Sequence, residues 1–186
     1  MPAKTLLTCQ EFEALCLAGK LECCELMDGE VIPLAPSAFD QGGVCATITI
    51  LVGQFVRKKK LGRVLGNEIG IHVQQDPPRS RGADVAFISY KRIPKSERPQ
   101  GFLRVPPELV VEVVGERQTW EELEAKVADY HTFGVDMVWV ANPNTRTLKK
   151  YPRGGASVIL HEGDVLEGGD ILPGFKVKVA ELFGEA

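Results

Sequence analysis

Three histidines, five cysteines and 7% aromatic residues leave few groups for metal or redox chemistry in a chain of 186. No C-x-x-C pair occurs. The cysteines (Cys9, Cys16, Cys23, Cys24 and Cys45) crowd the start of the chain, far from His72, His131 and His161. A zinc site needs ligands paired at short spacing, so the thiols read as small hydrophobes in a reducing compartment. Cys23 and Cys24 cannot both face one core from a strand, which leaves one exposed. A basic excess is missing too: 25 acidic against 22 basic residues give a net charge of −3. Bulk electrostatic binding of nucleic acid is thereby excluded, and any such role must rest on local patches. No apolar run nears the roughly 20 residues of a membrane span; Ile48–Val52 contains Thr49 and stops at Gly53. The N-terminus lacks the charged and apolar regions of a signal peptide. The expectation is a soluble, cytoplasmic protein with no membrane partner.

What is present is ordinary globular composition, 44% hydrophobic and 25% charged, so residues 1–186 are expected to form one domain with its own core. Thr8, with Glu11 three residues on, predicts a capping box before a short helix carrying Phe12, Leu15 and Cys16. Asp28-Gly29 predicts a hairpin between Glu22–Leu26 and Glu30–Leu34. Val44, Ile48, Leu51, Val52 and Phe55 recur at three and four, predicting a helix over Gln41–Lys60 that ends in Arg57-Lys58-Lys59-Lys60, where cations suit the dipole. Strands follow near Arg63–Val73, Ala83–Ser89 and Leu109–Gly115, separated by Pro- and Arg-rich segments (Gln74–Gly82, Tyr90–Pro107) that read as mobile loops. Thr119 caps a helix to about Phe133, with Gly134 at its end. Val135–Ala141, Thr147–Tyr151 and Ser157–His161 read as successive strands, and Val179–Phe183 as a last short helix. The fold class is mixed α/β: a central mixed sheet flanked by helices, with an N-terminal hairpin and a C-terminal β-meander.

Leu109-Val110-Val111-Glu112-Val113-Val114 sets a carboxylate in a strand apolar on both faces. Buried, ionised and unpaired it would cost several kcal/mol, so Glu112 requires a cation, a proton or a metal, unless its strand is a wetted edge. Asp84 opens Ala83–Ile88 in the same way. An Asp at a strand entry also serves as a turn acceptor. Two such acids in one small sheet would repel unless a divalent cation or a lysine lay between them, and oxygen donors favour Mg²⁺ or Mn²⁺ over zinc. Lys126 falls on the shoulder of the apolar face made by Trp120, Leu123, Val127 and Tyr130. From there its stem can carry the ammonium toward the acids, or leave it solvated.

With these residues in view, the chain resembles the large bacterial family labelled "putative restriction endonuclease", within the PD-(D/E)xK nuclease superfamily. The landmarks run in order from Phe12 to Phe183: the hairpin Glu25-Leu26-Met27-Asp28-Gly29-Glu30, the Asp strand Asp84-Val85-Ala86-Phe87 and the Glu strand Pro107-Glu108-Leu109-Val110-Val111-Glu112-Val113. Lys126 with Tyr130, Gly134-Val135, Val138-Trp139-Val140, Leu172-Pro173-Gly174-Phe175 and Glu181-Leu182-Phe183 complete the set. The superfamily lysine normally lies two residues after the Glu; here that position is Val114, and Lys126 matches the family's alternative placement on the next helix. Gly115-Glu116-Arg117 stands where the family has a Ser-Pro-Ser-like turn, and Phe39-Asp40-Gln41 where a histidine is common. The resemblance implies a restriction-endonuclease-like core and a metal-dependent endonuclease hydrolysing phosphodiester bonds. Asp84 and Glu112 would be its metal ligands for Mg²⁺ or Mn²⁺, Lys126 its lysine and Glu25 an additional acid. Arg79, Arg81, Lys91 and Arg92, together with Lys95 and Arg98, put cations around the Asp strand where phosphates of nucleic acid, DNA foremost, would be contacted. A homodimer would suit two-fold duplex cleavage. The competing reading is a catalytically inactive nuclease fold serving as a nucleic-acid-binding or protein-interaction module. Glycoside hydrolysis by two carboxylates explains neither Lys126 nor the basic segments.

Overall fold

The computed structural model describes residues 6–184. In chain order it contains α1 (Cys9–Leu17), a hairpin of β1 (Cys24–Met27) and β2 (Glu30–Pro33), α2 (Phe39–Lys59), β3 (Gly62–Gln75) and β4 (Pro78–Ser89). There follow β5 (Leu109–Val113), α3 (Trp120–Phe133), β6 (Met137–Asn142), β7 (Thr147–Pro152), β8 (Val158–Leu160), β9 (Val165–Glu167), β10 (Lys176–Lys178) and a 3-10 turn over Val179–Phe183. Eight strands form one mixed sheet in the order β2-β1-β4-β5-β6-β7-β8, with β3 on β4. β5 and β6 run parallel and α3 is the crossover between them; β6, β7 and β8 then form an antiparallel meander.

Local chemistry accounts for the ends of these elements. Thr8 and Thr119 each accept the N–H three residues on, and Glu11 and Glu122 return a carboxylate to the cap N–H at 2.9 Å. Both capping boxes are as the sequence predicts. Asp28 and Gly29 turn the hairpin with φ of 50° and 85°, a left-handed pair that Asp-Gly tolerates. Gly134 ends α3 at φ 112°, where a side chain would be strained.

The sheet is covered on both faces. On one, Val44, Ile48, Val52 and Val56 of α2 pack on Val85, Phe87, Val111 and Trp139. By length and composition α2 would pass as a membrane-crossing helix; this stripe lays it on the sheet instead. On the other face, Leu123, Val127 and Tyr130 of α3 pack on Val110, Val138 and Val140. Strand alternation thus sends Val111 toward α2 and Val110 toward α3, and puts Glu112 on the α3 side. Trp120, predicted for that apolar face, is instead half exposed, with the Lys149 ammonium 5.8 Å from its ring centroid.

The structure corrects the sequence expectation for residues 74–82. There is no long loop: β3 turns tightly at Asp76-Pro77, and Pro78–Gly82 is already strand. Arg79 and Arg81 therefore sit on β4 rather than in a loop, because distant carboxylates neutralise them there. The 90–107 segment is irregular, as predicted, but not loose. The Arg63 guanidinium donates to the carbonyls of Ile93, Pro94, Lys95 and Glu97. Leu103 and His72 tie the same segment to β3 through Leu103 N–H to Gly70 O and His72 N–H to Leu103 O.

One topological feature positions the site. Along one edge β4 pairs with β3 from Pro78 to Ser89, with register shifts opposite Asp84 and between His72 and Gln74. Along the other it pairs first with β1, at Leu26↔Ser80, and later with β5, from Val85↔Val111 to Phe87↔Leu109. Between these ladders the sheet is split, and the Gly82 backbone finds side-chain partners there instead of a strand.

Candidate active site

Continuing the Val85↔Val111 register by one residue sets Asp84 opposite Glu112 on the same face. Both are buried, at 7% and 3% exposure. The Asp84 Oδ2 accepts the Val113 N–H at 2.6 Å, and its other oxygen accepts no hydrogen bond from a described residue. Glu112 accepts from Lys126 Nζ at 2.8 Å on Oε2 and from the Tyr130 hydroxyl at 2.7 Å on Oε1. Lys126 and Tyr130 lie four apart on α3, one turn, so both reach the same carboxylate.

The hairpin supplies the next acid. Glu25 lies 3.1 Å from Lys126 Nζ, accepts from Arg81 Nη1 at 2.7 Å and takes the Gly82 N–H at 3.0 Å. Lys126 and Tyr130 both donate to Gly82 O, at 3.1 and 3.2 Å. Behind them, Arg81 bonds Asp129 of α3 at 2.7 Å, and Arg79 bridges Asp129 to Asp28 of the hairpin turn. Asp84, Glu112, Lys126 and Glu25, the four residues proposed for chemistry from sequence, converge in the split of the sheet.

The electrostatics carry a negative surplus. Burial, which Lys126 offsets only in part and the Asp84 charge reinforces, pushes the Glu112 carboxyl up to about 8. Asp84 is raised by burial, with the Val113 N–H opposing. Burial also works on Glu25, but the Lys126 and Arg81 charges outweigh it and hold this carboxyl below the ordinary value. Burial disfavours the Lys126 ammonium, yet Glu112, Glu25 and Asp84 keep its pKa above that of a free lysine.

These groups line a cavity of about 720 Å³. It brings in residues that sequence reasoning missed. Gln41 of α2 donates to Val113 O at 3.2 Å from where the family histidine was expected. Arg117, exposed at the rim, makes no ion pair with a described residue. Glu68 of β3 also borders the cavity; its signal in the sequence was faint, since Asn67-Glu68 lies in a segment read simply as strand.

The cations proposed for nucleic-acid contact fare differently. Arg81 is buried and Arg79 half-buried, both committed to carboxylates. Arg92 is held by Glu108, Asp136 and Pro106 O. Lys91 is exposed but does not border the cavity. Three of the four are therefore internal struts in this structure.

Among the described residues, no three His, Cys, Asp or Glu side chains form a ready-made metal cage. Two facing carboxylates, one with a free oxygen, fit the alternative. Mg²⁺ keeps several waters and takes one or two protein carboxylates plus substrate oxygens. The donor set suits such a hard cation.

The family model Uma2, described as "Putative restriction endonuclease", matches residues 9–180. The chain belongs to this family. A crystal structure of a putative nuclease belonging to DUF820, from Anabaena variabilis, is similar with a TM-score of 0.78 at 16% identity, covering 95% of this chain and 97% of that one. At that identity the likeness shows the fold, which is the nuclease-like mixed α/β architecture anticipated from sequence. No curated protein matches the chain. Lys126 reaches Glu112 from α3, and Val114, two residues after Glu112, packs in the core against α3.

Proposed function

We propose that this Uma2 protein is a divalent-metal-dependent endonuclease that hydrolyses phosphodiester bonds, with DNA as substrate. The observation that carries the reading is the meeting of Asp84, Glu112 and Lys126 on one face of a split sheet, inside an open cavity with excess negative charge. A structural ion pair explains Lys126 with Glu112, but not a second buried acid beside it with an oxygen left free.

Asp84 and Glu112 would hold Mg²⁺ or Mn²⁺. When bound, such a cation polarises the phosphate and lowers the pKa of an attacking water. Tyr130 fixes the Glu112 carboxylate from one side and Lys126 from the other, so the donor oxygens are positioned before substrate arrives. Lys126 is the group placed to stabilise charge on the phosphoryl oxygens. Its ammonium donates to Glu112 and Gly82 O and is ion-paired with Glu25. Contact with a phosphate requires exchange of one of them, and Glu25 and Gly82 O are the longer pair. Arg81 holds Glu25, and through it the ammonium, in place. Arg117 at the rim offers a cation for a flanking phosphate.

The test is calorimetric titration of Mn²⁺ into wild-type protein and Asp84→Asn, with and without a short DNA duplex, alongside a cleavage assay. The expected result is binding and cleavage in the wild type and loss of both in the variant, with duplex affinity falling as salt rises. Absence of Mn²⁺ binding in the wild type, duplex present, would favour the second reading, a binding or interaction module. That reading draws on one observation: both Glu112 oxygens are already satisfied by Lys126 and Tyr130.

A further inference from the structure

A second cavity, of about 850 Å³, opens where α2, β3 and the 90–103 segment meet. Its charged lining is of one sign: Arg57 from α2, Arg63 from β3 and Arg98 from the irregular segment. No aspartate or glutamate among the described residues borders it. Lys58, Lys59 and Lys60 follow Arg57, and Lys91 and Lys95 follow Tyr90 on the other wall. These lysines, Arg57 and Arg98 are exposed and form no ion pair with a described residue. Against them, residues 54–63 and 90–101 carry one acid, Glu97. In a chain of net charge −3 this is a segregated positive surface.

Arg79, Arg81 and Arg92 are answered by carboxylates; Arg63 is held differently. Its guanidinium donates to four backbone carbonyls and stands 5.1 Å from the Tyr90 ring centroid, so its hydrogens are satisfied while its charge is not cancelled. The α2 dipole accounts for cations in that helix's last turn. It does not account for Arg98, brought to the same cavity by a segment that Arg63 fastens at Glu97 O, nor for the lack of a bordering acid.

The basic and acidic cavities share a wall. Cys45, Thr49, Gly53 and Arg57 each follow a residue of the core stripe Val44, Ile48, Val52 and Val56, so they form one flank of α2, about 100° round from the sheet contact. Gln41 begins the same row and borders the acidic cavity. Cys45 Sγ donates to Asp84 O at 3.8 Å, and a Cβ on Gly66 of β3 would meet Thr49 Oγ1 at 3.7 Å. Thr49, Gly53 and Arg57 border the basic cavity. The row is open at Gly53, where an added Cβ would meet no atom within 4 Å. From Gln41 to Arg57 is about 24 Å of helix, or roughly seven phosphate steps of a B-form strand.

We propose that the basic cavity is a docking surface for the phosphate backbone of DNA, gripping the strand roughly seven nucleotides from the bond presented to Asp84 and Glu112. The inference rests on the nucleic-acid substrate of the reading above, not on its metal, and puts the grip away from Arg79, Arg81 and Arg92. An acidic polypeptide would suit the charge alone. The row along α2 favours a long polyanion that reaches both cavities.

Anisotropy titration of a labelled DNA duplex long enough to span both cavities, in EDTA and over a range of salt, tests it with wild type and Arg57→Gln/Arg98→Gln. Both arginines are exposed, and an unchanged melting temperature checks that the variant folds. The variant is expected to lower the slope of log affinity against log salt by about 1.8, at about 0.9 per phosphate contact. Its deficit should then shrink about tenfold between about 50 and about 200 mM salt. An unchanged slope, with wild-type duplex binding intact, would overturn the surface and leave the nuclease reading standing. The expected slopes, with no Mn²⁺ binding or cleavage by the wild type, would support the surface and remove the metal-dependent reading instead. No duplex binding by the wild type would overturn the proposal. So would tighter binding of polyglutamate than of duplex, which would assign the cavity to an acidic protein.

Discussion

Lys126→Met is expected to leave Mn²⁺ binding in place while cutting duplex cleavage about 10²–10³-fold, the usual loss when one preorganised charge is removed from developing phosphoryl charge. It should also destabilise the protein, and more at about pH 8.5 than at about pH 5.5. The ammonium stands 2.8 Å from Glu112 and 3.1 Å from Glu25, both buried. Without it those carboxylates escape repulsion only by taking up protons. Burial already raises the folded Glu112 carboxyl from 4.5 to about 8 against the pull of Lys126. A carboxyl raised in the folded state binds its proton more tightly there than in the unfolded chain. Its contribution to stability is full below 4.5 and lost as pH climbs through the folded value. Removing Lys126 raises that value further, so the gap between variant and wild type widens with pH, toward about 3–5 kcal/mol for a broken buried pair. Urea unfolding at the two pH values measures it. An equal gap at both would show that Lys126 is not a buried counter-ion, and unchanged cleavage would remove it from the reaction.

The second large effect is expected at Arg81, which no sequence pattern marks as structural. Its guanidinium joins Glu25 of the hairpin to Asp129 of α3, each at 2.7 Å, and all three are buried. Arg81→Leu leaves two buried carboxylates short of a partner and should cost about 3–5 kcal/mol at neutral pH. Arg81→Lys should recover little, since a point charge cannot grip two carboxylates as a planar fork does. The pH dependence runs opposite to that of Glu112. Although burial raises it, Glu25 is held low overall by Lys126 and then Arg81. Its stabilisation is therefore present above the ordinary carboxylate range and lost as pH falls through the depressed folded value. In Arg81→Leu that depression shrinks, so the variant should lose less stability on acidification than the wild type. Thermal melts from neutral to acid pH decide the matter; parallel acid limbs would show that Arg81 does not set the Glu25 carboxyl.

The difference between Arg81 and Glu112 explains how much could be read from sequence. The capping boxes at Thr8 and Thr119, the Asp28-Gly29 turn and the Glu112 anomaly are local: each needs only a few neighbours to be recognised. Lys126 was legible because helix periodicity tells which shoulder a residue occupies. Arg79 and Arg81 look like loop cations because the acids that let them lie in a strand are 48 to 56 residues away in the chain. Glu68 was hidden for a different reason. A bulge shifts the alternation of a strand, and without knowing where it falls, Asn67-Glu68 carries no sign of which side it serves.

The partner exchange along β4 turns one backbone group into a reporter. Gly82 N–H is fastened by a carboxylate, that of Glu25, while amides on either side of it belong to strand ladders. Its protection against solvent hydrogen exchange is thus tied to the charge on a side chain of another element, whereas its neighbours answer to the opening of the sheet. Acidification enough to neutralise Glu25 should release this one proton from protection ahead of the rest of β4. Without any label, the protein carries at the middle of its sheet an internal gauge of whether the hairpin's acid is charged and in place.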